Sequence, residues 1–299
     1  MIKRTLLFST PCYLGVKNGQ IRFKPREAEK KEQVIPLEDV GFVVLENPAI
    51  TLSLQLIEKL NANGTAMIFC DSTHMPASML QSFSGNQTHA EVIRAQVETT
   101  LPLKKQIWKE IVRQKILNQA ELLKGREMEG HQRLFRLANE VKSGDSDNRE
   151  GTAARKYWQC LIKDPTFKRE REGDAPNSLL NYGYAILRAA TARALVSSGL
   201  YCALGVHHRN KYNAFALADD VMEPYRPFVD RIVCQLLDEG PQDETLTPAI
   251  KQSLLKVLTV DTQINGQRSP LMVALSSTTA SLSRCFVAKN SKLMLPAMQ

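Results

Sequence analysis

Near residue 88 the hydrophobic pattern of this 299-residue chain changes period. Before that point apolar residues come in short β-prone runs separated by turn residues. Beyond it they recur every three or four residues over long stretches. A period of two builds strands and a period of 3.6 builds helices, so the chain carries two architectures in series. The fold class expected is α+β: a small N-terminal β-rich domain over 1–83, then a larger all-α C-terminal domain over 84–299. The polar segment near 81–87, bearing Gly, Ser and Asn, is the expected linker. The length, about twice a domain of roughly 150 residues, agrees with two domains.

In the first part, Thr5–Phe8, Tyr13–Val16, Ile21–Phe23, Val34–Leu37, Gly41–Leu45 and Ala66–Cys70 read as strands. Asn18-Gly19 is a hairpin turn, because both positions of a tight primed turn need positive φ. Ala28 to Glu32 is a charged loop. Leu52–Leu60, apolar at 52, 54, 56, 57 and 60, reads as the one helix. No glycine-rich phosphate loop is present. His74 stands alone beside Asp71, which suits a structural histidine.

In the second part, Leu103, Ile107, Ile111, Val112, Ile116, Leu117, Ala120 and Leu123 form one stripe, with Gly125 as its expected C′ residue. Lys104, Lys105, Lys109, Arg113 and Lys115 read as the opposite, solvated face. Residues 177–198 read as an almost wholly buried helix whose exception is a stripe of Asn177, Asn181, Tyr184 and Arg188, which fall on one helical face and either meet solvent or line a site.

Charge separates the two parts. Residues 1–85 hold 9 Lys+Arg against 8 Asp+Glu, whereas residues 101–170 hold 16 against 10, within a total of +8. An anionic partner, nucleic acid first, therefore belongs with the helical part. The composition excludes general disorder and a disulfide-stapled secreted mini-protein. The six cysteines lie far apart with no C-x-x-C, so they read as buried free thiols rather than zinc ligands. No apolar run approaches the roughly 18 residues of a membrane span, and the start lacks a convincing signal-peptide cleavage site. The expected location is the cytoplasm.

Polar residues that carry chemistry gather in three places. Asp147 reads as a helix N-cap with Glu150 as its capping-box partner, and the spacing favours that role over the alternative, a metal-binding carboxylate at the mouth of a helix. Gly205-Val206-His207-His208-Arg209-Asn210-Lys211 is a polar segment after an apolar run. Phe215 to Pro224 carries Asp219, Asp220 and Glu223, which a helix would gather along one face. Histidine with carboxylates and no thiol suits Mg²⁺ or Mn²⁺. A solvated acidic turn beside a loop histidine pair is the alternative.

Four segments in order, Ser143-Gly144-Asp145…Asn148-Arg149-Glu150-Gly151, Leu180-Asn181-Tyr182-Gly183-Tyr184, Leu204 to Asn210 and Leu217 to Pro224, resemble the CRISPR-associated integrase of spacer acquisition, in its type II form. The resemblance runs nearly end to end. It implies a β domain that drives homodimerisation and a helical domain with a metal-dependent endonuclease/integrase site. The implied metal ligands and catalytic residues are Glu150, His208 and Glu223, with His207, Asp219, Asp220, Asn181 and Tyr184 around them. It implies Mg²⁺ or Mn²⁺ as cofactor and double-stranded DNA as substrate, from captured fragment and repeat array. A small dimeric partner subunit and the type II effector nuclease are the implied protein partners, with no membrane. Lys104, Lys105, Lys109, Arg113, Arg188, Arg209 and Lys211 are the candidate DNA contacts. The competing functions are a non-catalytic DNA-binding scaffold and a metal-dependent nucleotide phosphohydrolase.

Overall fold

Asn18 and Gly19, at φ 50° and 71°, make the tight turn between β2 (Cys12–Lys17) and β3 (Gln20–Pro25), which pair antiparallel from Lys17↔Gln20 outward. In the computed structural model, residues 3–27, 31–82, 86–162, 167–170, 173–240, 246–290 and 292–298 are described. Much of the Ala28–Glu32 loop and the centre of the 81–87 linker lie outside them. The chain divides into two compact units, Met1–Phe83 and Ser84–Gln299.

The first unit holds two four-stranded sheets. Strands β1 (Arg4–Phe8), β5 (Val40–Leu45), β7 (Ala66–Cys70) and β8 (Pro76–Leu80) form one, in the order β1-β5-β7-β8. The other has the order β4-β3-β2-β6, adding β4 (Gln33–Pro36) and β6 (Thr51–Leu52). Strand β5 is buried along its whole length, as expected of a central strand, and its neighbours β1 and β7 are both parallel to it. Helix α1 (Leu54–Ala62) begins at Ser53, whose hydroxyl accepts the Leu56 N–H, and buries Leu56 and Leu60. They join Phe8, Leu14, Ile21, Val43 and Met67 in a core drawn from both sheets. The short β6 and the edge strand β8 were not expected; two residues, and a run opened by proline, carry little periodic signal. His74 Nδ1 lies 3.1 Å from the buried Glu46 carboxylate, a structural contact.

The second unit is built around α3 (Leu101–Gly125), with α2 (His89–Val97), α4 (His131–Asn139), α5 (Arg149–Leu161), α6 (Asn177–Ser197), α7 (Ala216–Met222), α8 (Arg226–Asp238), α9 (Pro248–Leu255) and α10 (Leu271–Ala288). It is not wholly helical: β9 (Asp261–Ile264) and β10 (Gln267–Pro270) form a hairpin turned by Asn265 and Gly266, both at positive φ. Nor does Gly125 serve as C′ residue. It is the last residue of α3, and Glu127 takes the left-handed conformation, with Met128 N–H donating to the Leu123 carbonyl and Glu127 N–H to that of Lys124. This is a Schellman ending on a residue that pattern alone does not select.

Helix α10 has a mean hydropathy of 1.3 over 18 residues and is long and apolar enough to cross a membrane, a run the sequence reading passed over. Half of it is buried, against α2, α6 and the hairpin. Its Ser and Thr hydroxyls bond to carbonyls, as Ser281 does to Thr278, which is how a core helix accommodates them. The C-terminal segment packs on its own unit: Asn118, buried in α3, donates to the Pro296 carbonyl and accepts from Met298 N–H.

Candidate active site

Asp220 organises one half of the site. It is fully buried on α7, and its carboxylate accepts the N–H groups of Val206 at 2.7 Å, His207 at 3.0 Å and His208 at 3.2 Å. Gly205 makes this approach possible, since a Cβ there would sit 2.5 Å from the His208 carbonyl oxygen and 2.9 Å from Asp220 Oδ2. The same carboxylate holds His208 Nδ1 at 2.6 Å. This hydrogen bond raises the imidazole above its ordinary value, and Asp220, Glu223 and Asp219 add to the effect through their charge. With Nδ1 committed, Nε2 is the nitrogen left for a ligand. His207 does different work: its ring stacks on the buried Trp108 indole, 4.1 Å between centroids and 2° between planes.

Glu150 and Glu223 form the other half. The expected capping box does not occur. Asn148 is the N-cap of α5, its side chain accepting from Gly151 N–H, and the Asp145 carboxylate accepts the N–H groups of Arg149 and Glu150. Asp147 instead pairs with Lys142 at 2.7 Å. With those amides satisfied, the Glu150 side chain is spared for another partner, and that partner is Lys115. The lysine does not join the solvated face of α3; it is 12 % exposed and places its ammonium 2.6 Å from Glu150 Oε1 and 2.5 Å from Glu223 Oε2. Glu223, in the single 3₁₀ turn after α7, is also held by Arg226, Nε to Oε1 at 2.8 Å. Burial alone would raise the Glu223 carboxyl, but the Arg226 and Lys115 charges outweigh it and keep it well below the usual carboxylate range.

The acidic residues of α7 therefore do not gather as one cluster. Asp219 pairs with Arg188 at 2.9 Å, Asp220 faces the 205–208 loop, and Glu223 faces Lys115 and Arg226. Among the described residues, no three His, Cys, Asp or Glu side chains stand close enough to make a ready cation cage. The lysine ammonium takes up the space between the two glutamates. The donor set still fits a hard divalent cation: two carboxylates, an oriented imidazole, and a buried Glu223 Oε2 that accepts no aligned hydrogen bond despite its ion pair.

Beside this centre lies a cavity of about 240 Å³, lined among others by Lys115, Gln119, Arg169, Tyr184, Arg226 and Asp230. Asn181 accepts from Arg169 at 2.7 Å, and the Tyr184 ring carries the Arg169 and Arg226 guanidinium groups at 5.3 and 4.5 Å from its centroid. Tyr184 and Tyr157 both donate to the buried Asp230, the latter at 2.7 Å, while burial pushes the Asp230 carboxyl up to about 6. Of the polar stripe on α6, Tyr184 lines this cavity and Asn177 and Asn181 hold Arg169, which lines it too, whereas Arg188 is not part of its wall and is 40 % exposed. Lys115, Gln119, Arg169, Arg226 and Asp230 were missed as site residues. One signal was available: Lys115, Asn118 and Gln119 interrupt the apolar stripe of α3 at i, i+3 and i+4, which marks a polar patch on the buried side.

Of the candidate DNA contacts, Lys105, Arg209 and Lys211 are exposed, and Lys104, Lys109 and Arg113 are half-buried on α3. The Lys105 stem covers Gly144, where a Cβ would come within 3.0 Å of it. Arg188 is engaged by Asn213 and Asp219.

Residues 5–249 match the family described as CRISPR associated protein Cas1. The chain is a member of the Cas1 family. It is 36% identical over 299 residues to the CRISPR-associated endonuclease Cas1 of Neisseria meningitidis serogroup C (strain 8013), covering 99% of this chain and 96% of that relative. Its fold resembles that of a casposase bound to integration product, with TM-score 0.81 and 21% identity over 98% of this chain and 92% of the other. It also resembles a chain of a Cas6-RT-Cas1–Cas2 complex, with TM-score 0.70 and 21% identity over 97% of this chain and 35% of that longer one. The Cas1 relationship extends across both units.

Proposed function

We propose that this Cas1-family chain is the catalytic subunit of a type II spacer-acquisition integrase, acting on double-stranded DNA with Mg²⁺ or Mn²⁺. The observation that carries the reading is the convergence of Glu150 and Glu223 on one cationic group, with His208 held alongside by Asp220. In this reading Glu150, Glu223 and His208 Nε2 hold the divalent cation, which supplies Lewis-acid stabilisation of phosphate charge and activates a hydroxyl. The 3′-oxygen of a captured fragment forms a bond to the repeat phosphorus, and the bond to the repeat's own 3′-oxygen breaks. The attacking hydroxyl gives up its proton and the leaving oxygen takes one up, so phosphodiesters are conserved and no energy source is consumed.

Asp220 fixes the imidazole tautomer. Arg226 orients Glu223. The charges of Arg169 and Arg226, braced against Tyr184, meet backbone phosphate in the cavity. Lys104, Lys105, Lys109, Arg113, Arg209 and Lys211 track the duplex outside it. The near-neutral first unit, with exposed Tyr13, Val34 and Leu54, serves homodimerisation, and a Cas2-like dimeric subunit joins two such dimers. An enzyme acting on the chromosomal array works in the cytoplasm, and the type II effector nuclease is a further partner there.

Replacing Glu223 with Ala is expected to abolish joining of a labelled fragment to a repeat-containing plasmid in Mg²⁺ or Mn²⁺ while leaving duplex binding within about threefold, which is roughly 0.6 kcal/mol. Full joining by that variant would refute the assignment. Wild-type protein that binds DNA but never joins it in any divalent ion would be a scaffold. Phosphate release from nucleotides without action on DNA would make it a phosphohydrolase.

A further inference from the structure

We propose that Lys115 is the resident counter-ion of this site, its ammonium occupying the seat between Glu150 and Glu223 that a divalent cation must take, so that metal binding expels the lysine. The inference rests on the metal-dependent reading above and goes beyond it, because it assigns a function to a side chain outside the ligand set. Glu150 and Glu223 side chains are 25 and 7 % exposed, and two carboxylates that close would repel unless something positive stood between them. Lys115 supplies that charge, and the two glutamates in turn keep it protonated against the effect of its burial.

The two cations compete for the same atoms. A hard divalent ion draws carboxylate oxygens to about 2.0–2.2 Å. An ammonium 2.5 to 2.6 Å from those oxygens leaves no room for it. Lysine is suited to such a gate, since its compact charge rides on a flexible four-carbon stem, whereas a guanidinium fork would bind the pair more rigidly.

The expelled ammonium also has somewhere to go. Gln119, one turn further along α3, lines the neighbouring cavity with Lys115, and its buried Oε1 has no hydrogen-bond partner. That orphaned acceptor is the kind of group a relocated ammonium would satisfy. In the cavity, Lys115 would then add its charge to those of Arg169 and Arg226 just as the metal arrives. One side chain thus keeps the ligands paired before metal binds and serves phosphate after.

The test uses the full-length protein and MnCl₂. Reductive methylation of lysines, read by mass spectrometry, is expected to leave Lys115 protected in EDTA and to label it in saturating Mn²⁺. Binding of Mn²⁺ followed by electron paramagnetic resonance is expected to be about tenfold tighter or more in Lys115→Met than in wild type, because no cation has to be displaced. Lys115 that stays protected while Mn²⁺ is bound, or a Lys115→Met protein whose Mn²⁺ affinity is unchanged or weaker, overturns the proposal and leaves the metal centre standing. Absence of Mn²⁺ binding by both proteins overturns the metal reading and this inference with it. The labelling arm needs only wild type, so a poorly folded variant does not remove the test.

Discussion

Asp220 and Glu223 lie three residues apart, are both buried, and are solvated by opposite means. Asp220 is surrounded by fixed donors, three backbone N–H groups and the His208 imidazole, each within 3.2 Å. Glu223 is surrounded by charges, Lys115 and Arg226, and its Oε2 has no aligned donor. Fixed backbone dipoles cannot leave, so Asp220 is a structural anchor that sets a loop. Mobile side-chain cations can leave, so Glu223 is a carboxylate whose partner can be exchanged. Burial and residue type alone do not separate the two roles; the nature of the donors does.

The comparison breaks most visibly at Asp220. Asp220→Ala strips the acceptor from three amides and one imidazole, and an equilibrium urea melt should show a loss of about 3 to 5 kcal/mol. A loss below about 1 kcal/mol would mean that the loop is not held by this carboxylate. Asp230 provides a second contrast, a buried carboxylate with two tyrosine donors. Its folded value of about 6 lies above that of an unfolded aspartate, so the native state binds the proton more tightly. Stability from this group is full below about pH 4 and declines as pH rises through about 6, by on the order of 3 kcal/mol. Melts from pH 4 to 7 should show that decline in wild type and not in Asp230→Asn; parallel curves would contradict it. The smallest effect is expected at the histidines. His207→Ala should cost about 1 kcal/mol through lost stacking on Trp108 and leave Mn²⁺ affinity unchanged. His208→Ala should weaken Mn²⁺ binding instead. The reverse outcome would exchange their roles.

Much of the fold was legible. The Asn18-Gly19 turn, the buried runs of β5 and β7, the length of α6 and the main stripe of α3 follow from local backbone preference and from periodic burial, which neighbouring residues impose on one another. The hairpin at 261–270 was not, since strands of four residues bear too little pattern to stand out among helices. The left-handed end of α3 at Glu127 was equally hidden, because its residue type does not favour that conformation.

At the site, Glu150, His208 and Glu223 were reached through ordered motifs, not through spacing. Spacing alone assigned Glu150 to a capping box that Asp145 and Asn148 make unnecessary. The sequence by itself determined the two architectures, the segregation of charge, the chemistry-bearing segments and, through their order, the family. Only the tertiary structure decided which carboxylate keeps which partner. Lys115 lies 35 residues from Glu150 and more than 100 from Glu223, and no local rule of helix or turn connects them. Their meeting depends on how α3, α5 and the turn after α7 pack. A buried charge takes the partner that packing brings within reach, and that choice separates an anchoring aspartate from an exchangeable glutamate.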